Sequence, residues 1–358
     1  MILTEWKCQC ITFPTPAGVG SAARKWRHVQ RLYVTVVNRD GLMGIGECSP
    51  LPGYSPETAD DCRQYFSEAL PNLTDAEIQN ITDIESLCAR VPTQLPSARF
   101  ALESALLDVL ARSSGIPLWQ LFAVDRTRLR VNGLLHSEGF QETAQKLYEQ
   151  GIRVFKLKLN GTENIKTHVA MLGWLRDTYG DAIDIRIDAN GTLRPEKLVE
   201  TLRQIAPFSP EYVEEPLPFT QLPADALPVS VAFDESLRDG DAIPQMLAHP
   251  ACGAVILKPS LLGGFFRVRQ LAAAAMAASR DIVITHMFES LPGFLAVLHL
   301  AASLPPGRAC GLLPPPTVTT GNPHPYFTLR KDVIQPGDSP GIGIAEAPIP
   351  GAEGMRPC

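Results

Sequence analysis

Residues 152–190 read IRVFKLKLNGTENIKTHVAMLGWLRDTYGDAIDIRIDAN, and the arrangement of this stretch indicates the fold. It contains an apolar run that ends at Lys158, a longer helix-like stretch, and a second apolar run that ends at Asp188. A strand, a helix and a second strand in this order form a β/α unit with parallel strands. Both charged residues then lie at the carboxyl ends of neighbouring strands, where parallel α/β folds place their binding sites.

Three further apolar runs end on a charged residue in the same way. They are EYVEEPLP with Glu214, VSVAFDESL with Asp234 and AVILKPSL with Lys258. Eight strand-like runs follow residue 128, and helical stretches separate most of them. This alternation is typical of a parallel α/β fold, and eight strands favour a closed (β/α) barrel over an open sheet. No G-x-G-x-x-G motif follows the early strands, which disfavours a dinucleotide-binding fold.

Residues 1–128 do not show this alternation. Their predicted strands precede their predicted helices, which suggests a small α+β domain. The Pro- and Gly-rich tail, at about 325–358, is expected to return over the surface to this domain, which leaves 129–324 for the barrel. The predicted elements of the first domain are strands at 2–13 and 28–39 and helices near 56–70 and 97–113.

The composition restricts the classes of partner. The chain has 358 residues, 45% of them hydrophobic, a formal net charge of −6 and a pI of about 5.7. This balance argues against nucleic acid or an anionic membrane as the main partner, but not against a small anionic substrate. We find no signal peptide or spanning segment, and the eight scattered cysteines predict reduced thiols in a cytoplasmic protein. A monomer and a homo-oligomer are both compatible with the sequence.

Side-chain alternation predicts where the charges point. In VFKLKL, Phe155, Leu157 and Leu159 share one face, so Lys156 and Lys158 share the other. Because the outer face of a barrel strand packs on helices, the charged face points into the barrel. The same reasoning places the following residues inside: Asp184, Arg186, Asp188, Asp234 and Lys258.

A charge inside a barrel is costly unless it is paired or binds a metal. Taken singly, a lysine after a strand is ordinarily a solvated surface residue, and Glu-Glu-Pro is ordinarily a loop entry. Asp188, Glu214 and Asp234 come from three successive strands, so their carboxylates can converge. Carboxylates with open positions suit Mg²⁺, and no matching His or Cys cluster favours zinc.

The chain resembles the enolase superfamily over nearly its whole length. The matching motifs are K-x-K at 156–158, D-A-N at 188–190, E-E-P at 214–216, D-E-S at 234–236 and the strand end at Lys258. The resemblance implies an N-terminal α+β capping domain and a modified (β/α)7β TIM-like barrel. Lysines on both sides of the site resemble the muconate-lactonising subgroup.

The resemblance also implies roles for these residues. Asp188, Glu214 and Asp234 would bind Mg²⁺, for which Mn²⁺ is a possible substitute. Lys158 would be the base, and Lys156 would tune its pKa. Lys258 would lie on the opposite side and stabilise negative charge.

Within the subgroup, GECSPLPGYSPET at 46–58 resembles the capping-domain loop of the o-succinylbenzoate synthase family. That family implies a lyase that dehydrates a small anionic carboxylate in menaquinone or phylloquinone synthesis. His286 and Met287 are bulkier than the small residues that similar enzymes carry before Glu-Ser, and His286 is either a substrate contact or a packed side chain. The expected substrate-binding residues are Arg186, Asn190, Thr285 and Ser290.

Three alternatives stay open. An N-succinylamino acid racemase or a dipeptide epimerase would use both Lys158 and Lys258 as bases on the same scaffold. A non-catalytic binding protein that retains the barrel belongs to a different class. The loop PTPAGVGSAARKW at 14–26 is either a mobile lid, with Arg24 and Lys25 available to a carboxylate, or a plain loop.

Overall fold

The computed structural model describes residues 1–14, 20–21, 24–123, 125, 128–159, 161, 164–315, 318 and 324–344. The predicted lid at 14–26, including the side chains of Arg24 and Lys25, lies largely outside these residues, as does the tail beyond 344. The strands of the N-terminal part are β1 (Leu3–Pro14), β2 (Gly20–Ser21), β3 (Arg24–Lys25), β4 (His28–Asn38) and β5 (Met43–Cys48). Its helices are α1 (Ala59–Ala69), α2 (Ile81–Cys88) and α3 (Pro96–Ser113).

The N-terminal domain is an antiparallel sheet, in the order β1-β4-β5, with its helices packed on one side. Helix α3 lies directly on the backbone of β5 because that strand carries Gly44 and Gly46. A Cβ atom at Gly46 would lie 1.8 Å from the carbonyl oxygen of Ala101, so no other residue fits without moving the helix. Helix α3 is buried over most of its length, since barrel elements cover its other side.

The barrel is a parallel sheet in the order β13-β12-β11-β10-β9-β8-β7. Its strands are β7 (Gly133–Leu135), β8 (Val154–Lys158), β9 (Asp184–Asp188), β10 (Tyr212–Glu214), β11 (Val231–Phe233), β12 (Cys252–Leu257) and β13 (Asp281–Ile284). Strand β6 (Leu129–Arg130) precedes β7 and belongs to a separate small sheet. The helices around it are α4 (Phe140–Glu149), α5 (Ile165–Tyr179), α6 (Leu198–Ile205), α7 (Ile243–Ala248), α8 (Pro259–Leu262), α9 (Phe265–Ala277) and α10 (Leu291–Ala302). The predicted class, a barrel preceded by an α+β capping domain, is confirmed.

The eighth strand differs from the prediction. The run ACGLL is reduced to two isolated parallel bridges, Val131 with Cys310 and Thr285 with Gly311, which join the two edges of the sheet. Proline has no N–H to donate to a strand ladder, so Pro314 and Pro315 prevent the strand from continuing. The barrel is therefore closed at this seam by a short segment.

The tail contains a hairpin that the sequence did not indicate. Strands β14 (Phe327–Arg330) and β15 (Val333–Pro336) pair with each other, and β15 pairs with β6 at the start of the barrel. The chain then reaches the N-terminal domain, where the N–H of Ile342 donates to Asp108 of α3 at 2.8 Å. In the described ranges no helix is long and apolar enough to cross a membrane.

Candidate active site

The predicted site residues lie side by side at the carboxyl ends of the barrel strands. Lys158 pairs with Asp188, and Asp188 with Glu214, in the register of β8, β9 and β10. Asp234 and Lys258 directly follow β11 and β12. Lys158, Asp188, Glu214 and Lys258 line a cavity of about 410 Å³ between the barrel and the N-terminal domain, and Asp234 bonds to Lys258 at its edge. Its lining includes Trp26, Leu51, Tyr54, Asn132, Leu134, His136, Lys156, Lys158, Asp188, Asn190, Tyr212, Glu214, Ile256, Lys258, Val283, Thr285, His286, Met287 and Phe288.

Two strained residues redirect the chain after the strand ends. Asn190 has a φ of 44° and Glu215 a φ of 37°, both in the left-handed region. Asparagine tolerates this conformation, whereas glutamate must be held in it by its surroundings. The Glu215 carboxylate accepts hydrogen bonds from the N–H groups of Asp234, at 2.8 Å, and Ser236, at 3.1 Å. The strained turn after β10 thereby fixes the backbone that carries Asp234.

Lys156 connects two of the predicted metal ligands. Its Nζ lies 3.0 Å from Oδ2 of Asp188 and 2.6 Å from Oε1 of Glu214. Burial alone would lower the pKa of Lys156, but the two carboxylates outweigh burial and raise it well above its ordinary value. Lys156 is therefore a fixed cation in this site.

Lys258 is held in a similar way on the other side of the site. Its Nζ donates to Oδ2 of Asp234 and, at 2.8 Å, to the hydroxyl of Tyr54. Burial opposes the charge, yet Asp234 and its neighbours raise the pKa of Lys258 well above the ordinary value. The Tyr54 hydroxyl in turn donates to Glu235 at 3.0 Å. This contact joins the N-terminal domain to the chemical groups of the barrel.

The environment of Lys158 lowers its pKa, whereas the environments of Lys156 and Lys258 raise theirs. Burial lowers its pKa, the positive charges of Lys156 and Lys258 add to that effect, and the carboxylates of Asp188 and Glu214 only partly offset it. Among the three lysines of the site, Lys158 is the one whose pKa is lowered, so it gives up its proton more readily than an ordinary lysine. A lysine that acts as a general base needs this property.

The carboxylates retain unused bonding capacity for a cation. Oε2 of Glu214 and Oδ1 of Asp234 are buried and have no hydrogen-bond partner among the described residues. In the same ranges, no three His, Cys, Asp or Glu side chains lie at metal-binding spacing; Lys156 bonds to both Asp188 and Glu214, and Lys258 bonds to Asp234. Oxygen-only donors with unsatisfied atoms fit a hard divalent ion such as Mg²⁺.

The predicted substrate-binding residues divide into two groups. Asn190 and Thr285 line the cavity, whereas Arg186 and Ser290 do not. Arg186 is fully buried one layer deeper than Asp188, where its Nε donates to Glu211 at 2.6 Å. Ser290 is 6% exposed and bonds to Glu47 and Tyr33 of the N-terminal domain. Side-chain alternation correctly predicted that Arg186 points into the barrel. It did not predict that Arg186 lies below the level of the cavity.

His286 both lines the cavity and packs within the protein. Burial lowers its pKa to about 4, so the ring is neutral, and its Nδ1 accepts the N–H of Phe288 at 3.0 Å. Sequence reasoning missed Tyr54, Glu235 and His136. His136 directly follows β7, so the strand-end pattern could have identified it, but nothing in the sequence identifies Tyr54 as a partner of Lys258.

Comparison with known proteins identifies the family. The model described as "Enolase C-terminal domain-like" matches residues 139–347, and "Mandelate racemase / muconate lactonizing enzyme, N-terminal domain" matches residues 14–123. The chain belongs to the enolase superfamily. Members of this superfamily are enzymes, and the three lysines and three carboxylates of the site lie within the first of these two matches.

Individual relatives of this enolase-superfamily chain differ in their reactions. It is 28% identical over 344 residues to an L-Lys-D/L-Arg epimerase of Methylococcus capsulatus, covering 93% of this chain and 96% of that protein. It is 32% identical over 315 residues to an o-succinylbenzoate synthase of Desulfotalea psychrophila, covering 76% and 83%. A crystal structure of the Methylococcus dipeptide epimerase, complexed with Mg and the dipeptide L-Arg-D-Lys, aligns with a TM-score of 0.82 at 27% identity, covering 96% and 99%. These relatives leave the specific reaction open.

Proposed function

We propose that the chain is a Mg²⁺-dependent o-succinylbenzoate synthase of menaquinone or phylloquinone biosynthesis. The reaction is the syn dehydration of 2-succinyl-6-hydroxy-2,4-cyclohexadiene-1-carboxylate. It removes a weakly acidic proton beside a carboxylate and expels a hydroxyl group. The resemblance of residues 46–58 and the relative from Desulfotalea psychrophila support this choice.

The charge of the cavity wall is the observation that carries the proposal. Among the described lining residues, the carboxylates are Asp188 and Glu214, and both are bound to Lys156. If Mg²⁺ takes the unpaired oxygens of Glu214 and Asp234, an ammonium group of a dipeptide would have no free carboxylate among these described lining residues, and burying it unpaired is costly. The cavity therefore suits an anionic substrate without a free amine.

The lysines account for the proton transfers. Lys158 Nζ takes the proton from the ring carbon that bears the carboxylate, and the electron pair of that C–H bond moves into the carboxylate to give an enediolate. When the enediolate collapses, this electron pair forms the new ring double bond and the C–O bond breaks. The resulting Lys158 ammonium then gives the proton to the departing hydroxyl, which leaves as water. Lys258 remains a cation throughout and stabilises the negative charge that develops on the substrate.

Asp188, Glu214 and Asp234 would hold the Mg²⁺ ion, or Mn²⁺ as a possible substitute. When bound, the ion supplies positive charge that favours the transition state over the ground state. Apolar side chains complete the cavity and exclude water from the ring. They are Leu51, Ile256, Val283, Met287 and Phe288.

The test is an assay of the purified chain with the cyclohexadiene substrate, following the aromatic product with and without EDTA. We expect turnover that EDTA abolishes and Mg²⁺ restores. Lys158→Ala should lose about 10²–10⁴-fold in kcat while Mg²⁺-dependent thermal stabilisation persists. Near-normal turnover by Lys158→Ala, or no aromatic product from the wild type, would refute the proposal.

A second candidate is N-succinylamino acid racemase. The placement of Lys158 and Lys258 on opposite sides of the site favours it, because racemisation needs a base on each face. N-succinylation removes the amine charge, so the cavity wall accepts this substrate class as well. Exchange of the α-hydrogen of N-succinyl amino acids in D₂O, without dehydration of the cyclohexadiene, would identify the racemase. A binding protein would show Mg²⁺-dependent stabilisation and no turnover of either substrate.

A further inference from the structure

A buried pair of charges in the N-terminal domain contacts the barrel behind the cavity wall. Arg31 of β4 is 5% exposed and Glu47 of β5 is fully buried, and Nε of Arg31 lies 3.5 Å from Oε1 of Glu47. We call this pair the clasp. Neither residue lines the cavity. The buried position of the clasp requires an explanation, because burying charged groups costs free energy unless they make specific bonds.

Glu47 accepts hydrogen bonds from the backbone N–H groups at the start of the barrel helix α10. Its carboxylate accepts the N–H of Ser290 at 2.8 Å and the N–H of Gly293 at 3.0 Å, at the N-terminus of α10. It also accepts the hydroxyls of Ser290 and Ser49, each at 2.5 Å. Helix α10 has no side-chain cap of its own, so Glu47 provides the cap from the other domain.

Arg31 contacts Phe288, which lies shortly before the start of α10. Its Nη2 donates to the carbonyl oxygen of Phe288, while the N–H of Phe288 donates to His286 at 3.0 Å. Phe288 has a φ of 61°, a conformation that a bulky residue adopts only when its surroundings hold it. Both backbone polar groups of the strained residue are therefore fixed, one by the N-terminal domain.

The residues that the clasp fixes form one wall of the cavity. His286, Met287 and Phe288 line it from the loop after β13. Two strands of the sheet order, β12 and β11, separate β13 from β10, which carries Glu214. The wall therefore lies on the Lys258 side of the cavity, because β13 pairs with β12, and away from the predicted metal ligands of β9 and β10.

We propose that Arg31 is a positioning residue that sets substrate selectivity by fixing the wall formed by His286, Met287 and Phe288. Docking of the N-terminal domain then shapes this wall, in addition to covering the cavity. The inference rests on the proposed function only for the choice of assay substrate.

The test is a double-mutant cycle with a matched control. Arg31→Lys keeps the charge beside Glu47 but loses the planar donor that reaches Phe288. Phe288→Leu changes the wall directly. Ser49→Ala is the control, because it removes a 2.5 Å hydrogen bond to Glu47 in the same buried patch and changes no contact of Phe288. KM, kcat and Tm are measured for each variant and for the double variant Arg31→Lys/Phe288→Leu.

We expect Arg31→Lys and Phe288→Leu each to raise KM about tenfold, the effect of one lost hydrogen bond or packing contact, with kcat changed less than about threefold. The KM of the double variant should be no higher than that of the more impaired single variant, since both substitutions act through the same wall. Ser49→Ala should lower Tm but leave KM within about twofold.

If the KM effects of the two single variants multiply in the double variant, or if Ser49→Ala raises KM as much as Arg31→Lys does, the clasp is structural only. If Arg31→Lys fails to fold, Arg31→Gln provides a neutral donor for the same carbonyl and the same cycle applies. Inactivity of the wild type toward both candidate substrates refutes the proposed function, whereas additivity between active variants refutes the role of Arg31.

Discussion

Lys258→Arg separates the two candidate reactions because they require different charges on Lys258. In a syn dehydration, Lys158 moves the proton and Lys258 only has to remain positive. In a racemisation, Lys258 must lose its proton to act on the opposite face. Arginine keeps the charge at all accessible pH values and does not act as a base at neutral pH.

The size of the effect follows from the contacts of Lys258. Its Nζ donates to Asp234 and to the Tyr54 hydroxyl, and a guanidinium group can keep one of these bonds with its charge intact. Loss of one bond corresponds to about tenfold in dehydration rate, or about 1.4 kcal/mol. Loss of a general base corresponds to about 10²–10⁴-fold in racemisation.

Lys258→Met is the matched control. It leaves Asp234 buried without its ammonium partner, and Oδ1 of Asp234 already has no partner among the described residues. Removing one member of a buried ion pair costs about 3–5 kcal/mol, so both Tm and both activities should fall. Lys258→Met therefore shows how much each activity falls when the positive charge of Lys258 is lost.

Both reactions are measured on the same preparations, dehydration by the aromatic product and racemisation by α-hydrogen exchange in D₂O. We expect Lys258→Arg to retain about a tenth of the dehydration rate and Lys258→Met to retain far less. Equal loss of dehydration in the two variants would refute the reasoning, because it would mean that the cation of Lys258 is not what the reaction uses.

Three further predictions concern the metal, the base and the fold. Glu214→Gln should abolish the Mg²⁺-dependent rise in Tm, and an unchanged rise would remove Glu214 from the ligand set. Burial lowers the pKa of Lys158, so kcat/KM should increase with pH through an ionisation below 10.5; a pH–rate profile without that rise would argue against Lys158 as the base. Gly46→Ala should destabilise the protein by about 3 kcal/mol or more in denaturant unfolding, because its Cβ would meet Ala101 at 1.8 Å, and normal stability would contradict this packing.

The barrel and its strand-end charges were predictable because both follow from local patterns. Alternation of β and α elements indicates parallel strands, and alternation within a strand gives the inward face. These two rules placed Lys156, Lys158 and Asp188 on the correct face of neighbouring strands. The predicted metal and base roles stay predictions, since they concern reactivity and not placement.

The remaining features depend on contacts between residues distant in the chain. Tyr54 meets Lys258 across 204 positions, and Ser290 meets Glu47 across 243. Their sequence neighbourhoods contain no periodic signal for these contacts. The depth of a side chain in the barrel is equally non-local, which is why Arg186 was predicted to contact substrate although it lies beneath the cavity.

The charge of the site explains how an acidic protein can favour an anionic substrate. The formal net charge of the chain is −6, which disfavours extended polyanions. Within the site, the three carboxylates of Asp188, Glu214 and Asp234 face three lysines, so their formal charges cancel when all are ionised. A divalent ion added to this set makes the site positive, which attracts carboxylates. Under the proposed function, this local charge, and not the total charge of the chain, would attract the carboxylate of the substrate.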